Sequence, residues 1–78
     1  MRKRELRLVI TFNTTADAMA MEAACKKEEM PGRLIPVPSV ISAGCGLAWS
    51  TDESFRGDFE VFTERNGLSF SDMVSCVV

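Results

Sequence analysis

The apolar residues of this chain change their spacing twice, and this change constrains the fold more than any other feature. They alternate with polar residues from Leu6 to Phe12, as in a half-buried strand, and from Ala16 onward they recur at helical spacing. A second change comes later, where a short apolar strand is followed by Phe55, Phe59 and Phe62 at intervals of four and three residues. Two strand–helix units are therefore predicted, each followed by another strand.

Capping and turn residues place the boundaries of these elements. Asn13, Thr14 and Thr15 are good caps for the start of the first helix, which Pro31-Gly32 ends. Asn66-Gly67 ends the second helix, with Gly67 suited to the left-handed position after a helix. The other strands are predicted over Arg33 to Pro38, Leu47 to Ser50 and Leu68 to Val78, with a loop over 39–46.

Two prolines place the second strand at an edge of the sheet. Pro36 and Pro38 cannot donate to a ladder, and their missing N–H groups face the same side. We therefore predict an α+β fold, a ferredoxin-like β-α-β-β-α-β sandwich in which both helices cover one face of a four-stranded antiparallel sheet. The expected spatial order of the strands is fourth, first, third, second, and one domain is expected to span residues 1–78.

Side-chain spacing also gives expectations for the packing. The face of the first helix expected to pack on the sheet carries Ala16, Met19, Ala20, Ala23 and Ala24, which leaves Cys25 partly exposed on the other side. Val9 is expected on the open face of the sheet, with Trp49 as a candidate neighbour. An exposed apolar sheet face favours a homo-oligomer or a complex.

Charge and hydropathy exclude several classes of protein. A net charge of −2 does not suggest a nucleic-acid partner. The clustered cations Arg2, Lys3, Arg4 and Arg7 form either a solvated tail or a small anion or phosphate patch. The apolar run that follows them is too short for a secretory core or a membrane span, so we expect a cytoplasmic protein without a membrane partner.

The cysteines do not fit a disulfide framework or a metal site. There are three, with no CxxC pair, and the chain has no histidine. No metal and no cofactor are therefore expected, and a Cys–His dyad cannot form within the chain. Cys76 is expected to pack in the last strand.

Of the three cysteines, Cys45 is expected to have the most exposed thiol. It lies in the segment Ser42-Ala43-Gly44-Cys45-Gly46, where a glycine on each side leaves the sulfur unshielded. The predicted topology puts this loop at the end of the sheet where Thr14 and Thr15 start the first helix, and a helix N-terminus favours a thiolate. The alternative is a tight hairpin with a small buried cysteine.

The pattern R-L-I-P-V-P from Arg33 to Pro38, then Ile41-Ser42, then C-G-L-A from Cys45 to Ala48, resembles a family of small bacterial proteins described as selenium/sulfur carrier-like. The resemblance spans nearly the whole chain. It implies that Cys45 holds a sulfane sulfur or a selenium atom. A basic residue often follows the second proline in that family, whereas this chain has Ser39, so Arg33 is the nearby cation considered for the site.

Two kinds of function compete. In the first, a donor protein passes a sulfur or selenium atom to Cys45, which hands it to an acceptor protein; Ser42, Gly44, Gly46, Thr14, Thr15 and Arg33 would support the thiol. In the second, the chain is a regulatory module that binds a small molecule or a protein, with Cys45 as a contact or a redox-sensing thiol. An enzyme is less favoured, because no recognisable acid–base pair is present.

Overall fold

The computed structural model describes residues 6–37 and 46–77. The elements follow the predicted order. They are β1 (Leu6–Thr11), α1 (Thr15–Glu28), β2 (Arg33–Pro36), β3 (Leu47–Asp52), a 3-10 turn (Glu53–Phe55), α2 (Arg56–Arg65) and β4 (Asp72–Val77).

The four strands form one antiparallel sheet in the order β2-β3-β1-β4, which is the predicted order. The fold is α+β, as predicted. The second strand is at an edge, and the backbone N–H of Val37 points inward and donates to the carbonyl of Gly46 at 3.0 Å. This orientation is the one expected if Pro36 turns its missing donor toward solvent. Pro38 lies outside the described residues.

Both helices pack on the same face of the sheet, around the central strand β1. Leu8, Ile10 and Phe12 share one buried cluster with Met21 of α1 and with the two phenylalanines Phe59 and Phe62 of α2. The rings of these two phenylalanines meet edge to face, with centroids 5.7 Å apart. The sheet therefore has a helix-covered face and a second face, called here the open face, which carries Arg7, Val9 and Thr11 of β1.

The face of α1 that packs on the sheet differs from the predicted one. Ala18, Met21 and Cys25 are buried, whereas most of the predicted core residues are exposed: Ala16, Met19, Ala20 and Ala23. Apolar residues lie all around this helix, so their spacing does not select a face. The helix turns Met21 and Cys25 toward the sheet, and they fill the space above it. The expectation that Cys25 is partly exposed is therefore wrong.

The turn between α1 and β2 closes on Trp49. The indole N–H of Trp49 donates to the carbonyl of Pro31 at 3.2 Å, and the ring is buried with the helices. Trp49 therefore does not lie on the open face, contrary to the expectation. Gly32 has φ +118°, and a Cβ placed there would be 2.5 Å from Trp49 Nε1 and 2.6 Å from the carbonyl oxygen of Ser50. Only glycine fits at this position.

The open face also differs from the expectation. Val9 and Ala48 are fully buried, and the face carries Arg7 and Arg33 at its margins. Burial of Val9 removes the reason given above for a homo-oligomer, which stays a prediction.

The second half of the chain departs from its predicted boundaries at two points. β3 continues to Asp52, and β4 begins at Asp72 instead of Leu68. The cause at β4 is the end of α2: Gly67 has φ +63°, as predicted, and the N–H of Leu68 donates to the carbonyl of Thr63 at 2.9 Å. That N–H completes the helix end and cannot serve a sheet ladder.

Candidate functional site

The described residue closest in sequence to the candidate thiol is Gly46. Cys45, Gly44 and Ser42 lie outside the described residues. Gly46 is exposed, has φ +77°, and a Cβ built on it would meet nothing within 4 Å. Its carbonyl accepts the hydrogen bond from Val37 that closes the β2–β3 pair. A hydrogen bond thus holds the backbone of the residue after Cys45, and no described residue crowds the position of its side chain.

Gly46 and the start of α1 lie at the same end of the sheet. Thr11, at the end of β1, pairs with Ala48, and β3 begins one residue earlier at Leu47. β1 leads into Thr14, which caps α1: its hydroxyl accepts from the N–H of Asp17 at 3.1 Å. Gly46 therefore lies at the end of the sheet where α1 starts, which is the end predicted for the loop.

The two threonines at this helix start differ in what they do. The hydroxyl of Thr14 is engaged as the cap, and the carbonyl of Thr14 accepts from Ala18 at 3.3 Å. Thr15 is the first residue of α1 and is exposed. Asp17 already places a carboxylate in the first turn, where it uses part of the stabilisation that the helix N-terminus offers a negative charge.

Arg33 lies away from Gly46. It pairs with Ser50 at the far end of β2, whereas Pro36 pairs with Leu47 at the near end. Three residues of strand separate the two positions, about 10 Å. The structure thus puts Gly46 at the end of the sheet where α1 starts and leaves Arg33 at the opposite end of the hairpin.

Cys25 is a core residue. Its exposed fraction is 1%, and burial, followed by the nearby charge of Glu28, raises the pKa of its thiol to about 12. A cleft of about 360 Å³ lies between α1 and β2 with Cys25 among its lining residues, together with Met30, Leu34 and Trp49. A thiol with so high a pKa is almost entirely protonated near neutral pH, so Cys25 offers this cleft no thiolate.

Cys76 is half-buried in β4 and pairs with Arg7, near the beginning of β1. This position is at the end of the sheet opposite to Gly46. Burial raises the pKa of the Cys76 thiol as well. Neither of the two described thiols has the lowered pKa of a reactive cysteine.

Sequence reasoning missed a polar group on the open face. Arg7 Nε donates to Ser50 Oγ at 3.3 Å, and Asp52, the cross-strand partner of Arg7, lies beside it. The N–H of Ser54 holds the pKa of Asp52 below its usual range, and the charge of Arg7 adds to this effect. The alternation of β1 could have indicated this group, since it puts Arg7 on the same face as Val9.

Residues 6–37 and 46–77 provide neither a metal-binding cluster nor a membrane-spanning helix. Within these ranges, histidine, cysteine and acidic side chains form no group of three or more that could hold a metal ion. The helices found there are too short or too polar to cross a membrane.

Comparison with known proteins gives one match. The model of a family described as "Putative Se/S carrier protein-like" matches residues 7–75, which is most of the chain. No curated protein and no solved structure matches it.

Proposed function

We infer the function from the family of the chain. The chain belongs to the Se/S carrier protein-like family, whose model matches residues 7–75. The match names a class of cargo and leaves open which residue holds it. We propose that Cys45 is that residue and that it carries sulfur or selenium as a persulfide or perselenide.

The transfer needs no general base. The Cys45 thiolate attacks the outer sulfur of a persulfide on a donor protein, a new S–S bond forms at Cys45, and the donor leaves as a thiolate. An acceptor thiolate then attacks the same outer sulfur and releases Cys45. No net oxidation occurs in either step. Selenium follows the same course through an S–Se bond.

The observation that carries this assignment is the state of the other two thiols. Cys25 is buried with a pKa of about 12, and Cys76 is half-buried with a raised pKa. A carrier thiol must reach a partner's sulfur and must be ionised when it attacks. Of the three cysteines in the sequence, these two are poor candidates, which favours Cys45.

The setting of Gly46 supports the same assignment. A partner must bring its own sulfur within bonding distance of the carrier thiol, and a bulky neighbour would hinder that approach. The residue after Cys45 has no side chain, and no described residue lies within 4 Å of the position that a Cβ would take. It also lies at the end of the sheet where α1 starts, so the helix dipole would favour a thiolate there. In the cytoplasm, where thiols stay reduced, Cys45 would be free to accept its cargo.

Intact mass spectrometry tests the proposal. The protein is incubated with a cysteine desulfurase and cysteine without reductant, and an acceptor thiol is then added. We expect a gain of one sulfur and its loss to the acceptor. Cys45→Ser should gain none, whereas the matched controls Cys25→Ser and Cys76→Ser should load like the wild type.

One result would contradict the assignment of the site to Cys45, and another would contradict the carrier function. If Cys45→Ser gains sulfur as readily as the wild type, the site is wrong. If the wild type gains no sulfur but forms a sulfenic acid or a mixed disulfide at Cys45 under mild oxidation, the thiol is a sensor and the regulatory module is correct.

A further inference from the structure

The two edge strands of the sheet, β2 and β4, are protected to different degrees. An edge strand exposes unpaired N–H and C=O groups that a second chain can bind, and prolines and charged residues commonly prevent this pairing. β2 begins with Arg33 and ends with Pro36. β4 contains no proline, and its one charged residue, Asp72, is the first. The rest of β4 therefore lacks both protections.

Side-chain contacts show which backbone groups of β4 point away from β1. The carbonyl of Asp72 accepts from the hydroxyl of Thr11 at 3.5 Å, so this carbonyl points toward β1. Met73 points the other way: its N–H donates to the Asp72 carboxylate at 3.0 Å, and its carbonyl accepts from Arg56 at 3.3 Å. At Met73, side chains of the same chain thus cover the outer edge of the sheet.

Two residues further along the outer edge have no such cover. Backbone direction alternates along a strand, so the N–H and C=O groups of Ser75 and Val77 point outward like those of Met73. No turn or side chain within residues 6–37 and 46–77 bonds to these groups, since Arg56 contacts Ser75 only at its hydroxyl. The side chains of Val77 and of Leu6, its partner on β1, are 54% and 51% exposed. An uncovered edge and an exposed apolar pair therefore coincide.

We propose that two copies of this chain pair antiparallel through β4, with Ser75 of each copy opposite Val77 of the other. In this register the uncovered groups meet each other, and each Ser75–Val77 pair exchanges N–H···O=C bonds in both directions. Met73 keeps its own side-chain partners, and Val77 is covered by the strand of the partner copy. Both copies use the same surface, as a two-fold dimer requires. The proposal does not depend on the carrier function of Cys45.

The register has a consequence for Cys76. It places Cys76 of one copy directly opposite Cys76 of the other, in a pair that is not hydrogen-bonded. The Cα atoms of such a pair are about 4.5 Å apart, and a disulfide requires a Cα separation of about 4.4–6.8 Å. Diamide, which takes up the two protons and two electrons that disulfide formation releases, should therefore join the two copies through Cys76.

The test begins with sedimentation equilibrium of the reduced wild type over a range of micromolar concentrations. We expect a species of about twice the 8.6 kDa of one chain, in a proportion that rises with concentration. Diamide is then added to the variant Cys25→Ala/Cys45→Ser, in which Cys76 is the only thiol. A non-reducing gel should show a covalent dimer that a reductant separates.

A pair of valine variants identifies the surface that is used. Arg56 lies 3.4 Å from Ser75 Oγ, so the new side chain of Val77→Lys would face this guanidinium in the partner copy. Like charges placed opposite each other weaken association, by about tenfold or more here. Val61→Lys on α2 is the matched control: Val61 is 64% exposed, the charge change is the same, and the variant should dimerise like the wild type.

Three results would overturn the proposal. If the reduced wild type sediments only as the monomer, the second copy is the wrong occupant and the edge is left to a strand of another protein. If Val77→Lys and Val61→Lys weaken the dimer equally, the interface does not lie at β4. If the dimer forms no Cys76 disulfide, or forms it equally fast with the Val77→Lys change added, the register is wrong.

Discussion

The β2–β3 hairpin has a glycine with positive φ at each end, and the surroundings of the two glycines differ. The end that carries the connecting loop is called the loop end, and the end packed against the α1–β2 turn is called the closed end. Gly32, at the closed end, has no room for a Cβ: Trp49 and the Ser50 carbonyl lie within 2.6 Å of where it would be. Gly46, at the loop end, has nothing within 4 Å. Each glycine also has a cysteine near it, Cys25 in the cleft beside Gly32 and Cys45 next to Gly46 in sequence.

The two positions require glycine for different physical reasons. At the closed end, glycine lets the chain pack, and the nearby thiol is buried and protonated. At the loop end, the left-handed backbone angle alone favours glycine, and no described residue lies within 4 Å of the position of a Cβ. A positive φ therefore does not show by itself whether a glycine is needed for packing, whereas its surroundings do.

The largest effect is expected from Gly32→Ala. The new Cβ would strain the backbone and overlap atoms of β3, and the two costs together amount to about 3 kcal/mol or more. Urea unfolding followed by circular dichroism measures this loss. Adding Trp49→Phe should not restore stability, because the Ser50 carbonyl remains 2.6 Å from the Cβ position. A loss below about 0.5 kcal/mol, the range of ordinary surface changes, would show that the closed end is not tightly packed.

The next effect is a loss of stability at alkaline pH that depends on Cys25. Its pKa rises from 9.0 to about 12 on folding, so between these values the unfolded chain loses a proton that the folded chain keeps. Stability from this source is complete below pH 9 and falls as the pH rises toward 12, by up to about 1.4 kcal/mol per pH unit. Urea unfolding at several pH values should show this slope in the wild type and a shallower one in Cys25→Ala. Equal slopes in both proteins would mean that Cys25 is not shielded.

The smallest effect is expected from Gly46→Ala. It meets no steric overlap, so only the left-handed backbone is penalised, by about 1 kcal/mol. The same urea measurement gives the comparison with Gly32→Ala. Should the two glycine variants lose the same stability, the contrast between the ends of the hairpin would be wrong.

Much of this fold could be predicted from the sequence because local chemistry agrees with the topology. Alternation along β1, the edge position that Pro36 requires, and Gly67 after the second helix all act over a few residues. Each of them is visible in the sequence, and together they determine the strand order.

The packing of α1 and of Trp49 could not be predicted in the same way. Apolar residues surround α1, and the choice of Met21 and Cys25 as its buried face depends on the shape of the sheet beneath it. Trp49 lies in a short apolar strand whose alternation gives no sign of which face is covered by helices. The place of Arg33 in the family motif suggests a role at the thiol site, and only the strand register shows Arg33 at the far end of β2.

The most direct test of the central claim is timed iodoacetamide labelling of the native protein, with the labelled positions mapped by peptide mass spectrometry. The claim is that the loop end of the hairpin holds the reactive thiol, while the other two thiols are shielded. We predict that Cys45 is labelled first, Cys76 more slowly, and Cys25 only when the protein is unfolded in urea. Faster labelling of Cys25 or Cys76, or labelling of Cys45 only after unfolding, would contradict the claim.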